Sequence, residues 1–110
     1  MGKPVDVSGA DFQAEVLQVE DKPVLVDFWS ETCGHCLALN PHFDQAAEAM
    51  ADSVKFAKIT FGDNREIFKD YSVRATPTLI LFRDGEEIAR TVGAKRADEL
   101  QAWVEQQLAG

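Results

Sequence analysis

Cysteine is scarce in this chain: there are only two among 110 residues, alongside one tyrosine, two tryptophans and two histidines. Two cysteines cannot staple a disulfide-dense mini-protein. The longest uninterrupted apolar run, Leu79-Ile80-Leu81-Phe82, falls far short of the roughly 18 residues that a membrane-crossing helix needs. No run of lysine or arginine is present, and the 11 basic residues are outnumbered by 19 acidic ones, for a formal charge of −8. Such a chain repels phosphate backbones and anionic lipid, so neither a nucleic acid nor a membrane is an expected partner. Internal repeats and low-complexity stretches are also missing. The opening residues, Met1-Gly2-Lys3-Pro4-Val5-Asp6, lack the apolar core and cleavage site of a signal peptide, which makes cytoplasmic the expected location.

What remains is an ordinary globular composition, 45% hydrophobic and 27% charged. A chain of this length folds as one compact unit, so a single domain over residues 1–110, monomeric by default, is expected. Ser8 and Asp11 precede Phe12, Val16 and Val19, the marks of a capped amphipathic helix that Asp21-Lys22-Pro23 ends. Val24 to Trp29 carries large apolar residues on both alternate faces, the pattern of a strand buried on both sides. From Cys33 the stripe Leu39, Phe43, Ala47 and Met50 is helical, and Pro41 within it should kink the helix.

Val54 to Phe61 reads as a strand, Ile67, Phe68 and Tyr71 as a short helix, and Thr78 to Phe82 as a strand entered through Pro77. Asp84-Gly85 then makes a tight hairpin that pairs Ile88 to Val92 antiparallel with Thr78 to Phe82. After Gly93, Leu100, Trp103, Val104 and Leu108 form the inner stripe of a closing helix. The order βαβαβαββα, its first strand weak, predicts an α/β domain: a mixed sheet of about five strands with four helices on both faces.

Both cysteines fall in one motif, Cys33-Gly34-His35-Cys36, where a buried strand gives way to a helix. Unpaired N–H groups and the helix dipole favour an anion there, so the Cys33 thiol should ionise below the range of a free cysteine. Cys36, one turn on, should be less exposed; it is placed to resolve a mixed disulfide formed on Cys33. Gly34 lets a partner chain approach closely. Asp27 shares a strand face with Leu25 and Trp29; burial should raise its pKa and suit it to accept the Cys36 proton, with Lys58 on the neighbouring strand moderating its charge.

Val26-Asp27-Phe28-Trp29, Cys33-Gly34-His35-Cys36, Thr76-Pro77-Thr78, Asp84-Gly85 and Val92-Gly93-Ala94, in that order and spacing, resemble the thioredoxin family nearly end to end. The resemblance implies the thioredoxin fold and a protein-disulfide oxidoreductase that works by its cysteine pair, with neither a bound organic cofactor nor a metal. It further implies protein disulfides as substrates and a thioredoxin reductase as electron donor. It also implies a cis peptide bond before Pro77, facing the cysteines, and a shallow substrate groove lined by Trp29, Thr76, Pro77, Gly93 and Ala94.

The chain departs from the commoner family pattern. His35 replaces a proline, as in protein disulfide isomerase domains, and a protonated His35 would stabilise the Cys33 thiolate and make the disulfide more oxidising. Thr32 stands where a tryptophan is usual, Leu37 where a lysine is usual and Gly62 where an aspartate is common. Leu37 and His35 push the Cys33 thiol in opposite directions. Oxidase or isomerase activity is therefore an alternative direction, and an inert disulfide, a metal or interaction module using Cys33, His35, Cys36 and His42 is a different class of reading. His42 alone reads as a solvated helix residue.

Overall fold

The computed structural model describes residues 2–110. Their strands are β1 (Val5–Asp6), β2 (Val24–Trp29), β3 (Lys55–Thr60), β4 (Thr78–Arg83) and β5 (Glu86–Val92). They form one mixed sheet in the order β1-β3-β2-β4-β5. β2 is central, parallel to β3 and antiparallel to β4. Three α-helices, α1 (Gly34–Ala49), α2 (Arg65–Asp70) and α3 (Ala97–Ala109), and a π-helical turn at Gln13–Leu17 complete the expected order of elements.

The alternation of β2 divides the core in two. Val24, Val26 and Phe28 point to one face, where they pack with Phe12 and Val16 from the π-helical turn and Phe68 of α2. Here Phe28 meets Phe68 edge-on with ring centroids 5.2 Å apart. Leu25 points to the other face and packs with Leu39 and Phe43 of α1 and Leu100 and Val104 of α3. A strand so covered on both sides has no solvent-facing row, which is why its sequence lacks polar alternation except at Asp27.

Two elements differ from expectation. The first helix is a single wide turn rather than a helix running from Ser8 to Val19, and no side chain of the described residues caps it. The Ser8 hydroxyl accepts the Asp11 N–H before the turn begins, and Lys55 Nζ donates to the Glu15 carbonyl at 2.8 Å, taking that oxygen out of the helical ladder. β5 begins at Glu86 rather than Ile88, because a two-residue turn sets Arg83 directly opposite Glu86. The register then shifts between Leu81 and Phe82, leaving Ile88 as the extra residue of a bulge. α1 continues through Pro41, which lies on its exposed side, where the carbonyl four residues earlier can face solvent.

The Asp84-Gly85 turn is as expected, both residues having positive φ, 52° and 81°. A Cβ on Gly85 would lie 2.8 Å from the Leu17 carbonyl oxygen, whereas one on Gly34 would meet nothing within 4 Å. Gly85→Ala is therefore expected to cost about 2 kcal/mol in denaturant unfolding, and Gly34→Ala to stay within about 1 kcal/mol of the parent.

Candidate active site

The C-terminal end of β2 delivers the chain to the start of α1, and Cys33 stands at the cap of that helix in extended backbone (φ −97°, ψ 113°). A side chain at this position turns back over the first free N–H groups of the helix. The Cys36 N–H accordingly donates to Cys33 Sγ at 3.2 Å. The Cys33 thiol donates in turn to the Thr76 carbonyl at 3.4 Å, which joins two segments 43 residues apart. Both thiols are free. Cys33 is half-buried and Cys36 fully so.

Their acidities separate accordingly. Burial works against a charge on Cys33, but hydrogen bonds from the Cys36 and Thr76 side chains and from the backbone of Cys36 and His35 outweigh it and hold this thiol below its ordinary value. Burial, then the hydrogen bond with Cys33, push Cys36 up to about 11; the charge of Cys33 adds to this, and the Ser30 backbone and Thr76 offset only part. The pair thus presents one accessible, ionisable sulfur and one protected, protonated sulfur.

The Thr76–Pro77 peptide is cis. Thr76 is half-buried beside Cys33 and Pro77 is buried. The Gly93 N–H donates to the Pro77 carbonyl at 2.9 Å, so Gly93, with φ of 103°, belongs to the same surface. Ala94 is exposed just beyond it, where it also borders a hollow against Trp103 and Gln106 of α3. Gly34 and His35 are exposed on the first turn of α1. What acts on Cys33 from His35 is its backbone N–H. Pro41 sits further along α1, away from the thiols in sequence and on the exposed side.

Asp27 is fully buried, and neither of its carboxyl oxygens has a hydrogen-bond partner among the described residues. It faces the α1 side of the sheet, the side on which Cys36 shares a buried stripe with Leu39 and Phe43. Burial pushes its carboxyl up to about 7, and Lys58, opposite it in the β2–β3 register, pulls only partly back. The Lys58 ammonium lies 4.9 Å from the centre of the Trp29 ring and donates to Asn40 Oδ1 at 2.9 Å.

Two residues escaped the sequence reading. Asn40, four positions after Cys36, holds Lys58; a polar residue one turn beyond a buried cysteine on the same helix was the available signal. His42 is half-buried rather than solvated: its Nδ1 accepts the N–H of Ala97 at 3.3 Å, because the first turn of α3 needs an acceptor and α1 passes beside it. With His42 so engaged, Cys33, His35, Cys36 and His42 do not converge, and the described residues include no cluster of three or more His, Cys, Asp or Glu fit to hold a metal ion.

A family model described as thioredoxin matches residues 3–106. Among similar proteins, a thioredoxin of Rhodospirillum rubrum is 41% identical over 99 residues, covering 90% of this chain and 94% of that one. A Pseudomonas aeruginosa thioredoxin is 39% identical over 101 residues, 92% and 93% of the two chains. A Porphyra purpurea thioredoxin is 40% identical over 96 residues, 87% and 89%.

The buried carboxyl has a consequence for stability. Its folded pKa, about 7, lies above the ordinary 3.8, so the folded state binds the extra proton between these values. Stability from this group is complete below about pH 4 and is lost as pH rises through 7, by roughly 4 kcal/mol. Denaturant unfolding from pH 4 to 9 should show this decline, and Asp27→Asn should remove it and leave the variant more stable than the parent above pH 8.

Proposed function

The chain belongs to the thioredoxin family, and we propose that within it the protein reduces disulfides of other proteins, with Cys33 as attacking thiolate and Cys36 as resolving thiol. Its reaction class is thiol–disulfide exchange, carried by the redox-active cysteine pair. The observation that supports these roles is the split between the thiols: Cys33 accessible and held low by the helix start, Cys36 buried and high.

In the proposed sequence the Cys33 thiolate attacks one sulfur of a substrate disulfide. The substrate S–S bond breaks, a Cys33–substrate disulfide forms, and the departing thiolate takes a proton. Bonding to substrate removes the Cys33 charge, one of the causes that hold the Cys36 proton. Asp27, poised near neutrality, accepts that proton as Cys36 attacks Cys33 Sγ. The second substrate thiolate leaves and is protonated by solvent, and the cysteine pair, starting as thiolate and thiol, has given up two electrons and one proton in forming its disulfide.

Thr76, Pro77, Gly93, Ala94 and Trp29 are proposed to seat an extended segment of substrate, with Gly34 leaving room above the sulfur. A thioredoxin reductase restores the dithiol in this reading, and the site of action is the cytoplasm. No helix of the described residues is long and apolar enough to cross a membrane. An oxidising, isomerase-like value for the pair would instead mean that the His35 ring, and not only its backbone N–H, acts on the Cys33 sulfur.

Insulin reduction with dithiothreitol tests the thiol roles: Cys33→Ser should abolish it, and Cys36→Ser should accumulate mixed disulfides on Cys33. Iodoacetamide should label Cys33 first at pH 7; labelling of Cys36 first would reverse the assignment. Equilibration in glutathione buffers should give a potential near the thioredoxin end of the range, about −270 mV. A value near the isomerase end, about −180 mV, would turn the direction to oxidation or isomerisation.

A further inference from the structure

Lys58 is held on two sides by groups that do not belong to the cysteine motif. Asn40 Oδ1 on α1 accepts its Nζ at 2.9 Å, and the Trp29 ring lies beneath it at 4.9 Å. A half-buried ammonium without such contacts moves toward water or toward carboxylates. Carboxylates are near: Asp6 is the register partner of Lys58 on β1, and Asp44 and Glu48 of α1 line the same hollow.

We infer that Asn40 is a positioning residue for the exchange reaction: its side-chain oxygen tethers the Lys58 ammonium against the Trp29 face, keeping that charge opposite Asp27 instead of releasing it to the acidic hollow. This rests on Asp27 acting as proton acceptor in the reading above. Cys36 is buried on the inner side of α1, Asp6 lies on the same face as the register partner of Lys58, Lys3 lines the hollow beyond it, and β4 and α3 contribute Leu79, Leu81, Leu100 and Val104, which carry no charge. Among the described residues Lys58 is the cation whose charge bears on Asp27, and its placement rather than its presence alone sets how readily Asp27 gives up and takes a proton.

The carboxyl carbon of Asp27 reports its own titration by 13C NMR of the reduced protein, separately from the thiols. Asn40→Ala should raise the Asp27 midpoint by half a pH unit or more, about threefold in proton affinity. Asn40→Leu, which keeps the volume without the acceptor, should do the same. Lys58→Met should raise it further, and Asn40→Ala added to Lys58→Met should change nothing more. An unchanged or lowered midpoint in Asn40→Ala, a wild-type midpoint in Asn40→Leu, or an additional shift in the double variant would each overturn the tether.

Release of substrate from the mixed disulfide, timed by stopped flow, provides the second readout. Asn40→Ala should slow it about twofold at pH 7 and leave it unchanged at pH 9, where Asp27 is ionised in both proteins. A shifted carboxyl titration with an unshifted rate profile would sustain the tether and sink the role of Asp27 itself. A shifted rate profile with an unmoved titration would sink the tether.

Discussion

The first turn of α1 rests on a contact between a sulfur and a helix end. Four N–H groups at any helix start lack intrahelical partners, and here one of them, from Cys36, is satisfied by Cys33 Sγ. The same contact fixes where Cys33 stands, how Cys36 is turned inward and which sulfur carries charge. Everything that brings other residues to the site is arranged around that sulfur. β2 ends beneath it, and the loop before β4 presents the Thr76 carbonyl to it. Gly93, bonded to Pro77, closes the surface. A thiolate at the cap strengthens the bond that a neutral thiol makes weakly, so ionisation of Cys33 and order in the helix start are coupled.

The core beneath the site is built against its own stability. A carboxyl with no partner among the described residues, in a layer otherwise composed of Leu25, Leu39, Phe43 and Leu79, destabilises the fold whenever it ionises. Leucine at that position would pack without the penalty. The penalty is also what brings the carboxyl to about 7, where, in the mechanism proposed, it takes the Cys36 proton at neutral pH. In that mechanism stability and proton transfer draw on a single desolvation energy, and Lys58 relieves part of it.

Much of this was legible in the chain. The apolar run Val24 to Trp29, broken only by Asp27, announced both a central strand and a buried acid; the Asp84-Gly85 pair announced its hairpin; and the position of Cys33-Gly34-His35-Cys36 between strand and helix announced which thiol would be the more exposed and held below its ordinary acidity range. What periodicity missed were contacts made by side chains across elements. Lys55 capturing the Glu15 carbonyl, Asn40 holding Lys58 and His42 accepting from Ala97 each join segments at least 18 residues apart. No local pattern encodes such a partner, because the acceptor becomes available only after the helices have docked on the sheet.

The substitutions that set this chain apart from the commoner family pattern leave in place the groups that lower the Cys33 thiol, first the Cys36 and Thr76 side chains and then the backbone of Cys36 and His35. The N–H groups of Cys36 and His35 act on it whatever residues occupy positions 35 and 37. A leucine at 37, more than half exposed on α1, removes a cationic side chain without touching those donors. The nucleophile is thus retained while the surface around it becomes more apolar, with Leu37, Phe61 and Val92 all exposed. The acidity of the sulfur therefore does not depend on the side chain at position 37: its donors come from Cys36 and His35 at the helix start and from Thr76 in the loop before β4, so the exposed face of α1 is chemically separate from the groups that tune the thiol.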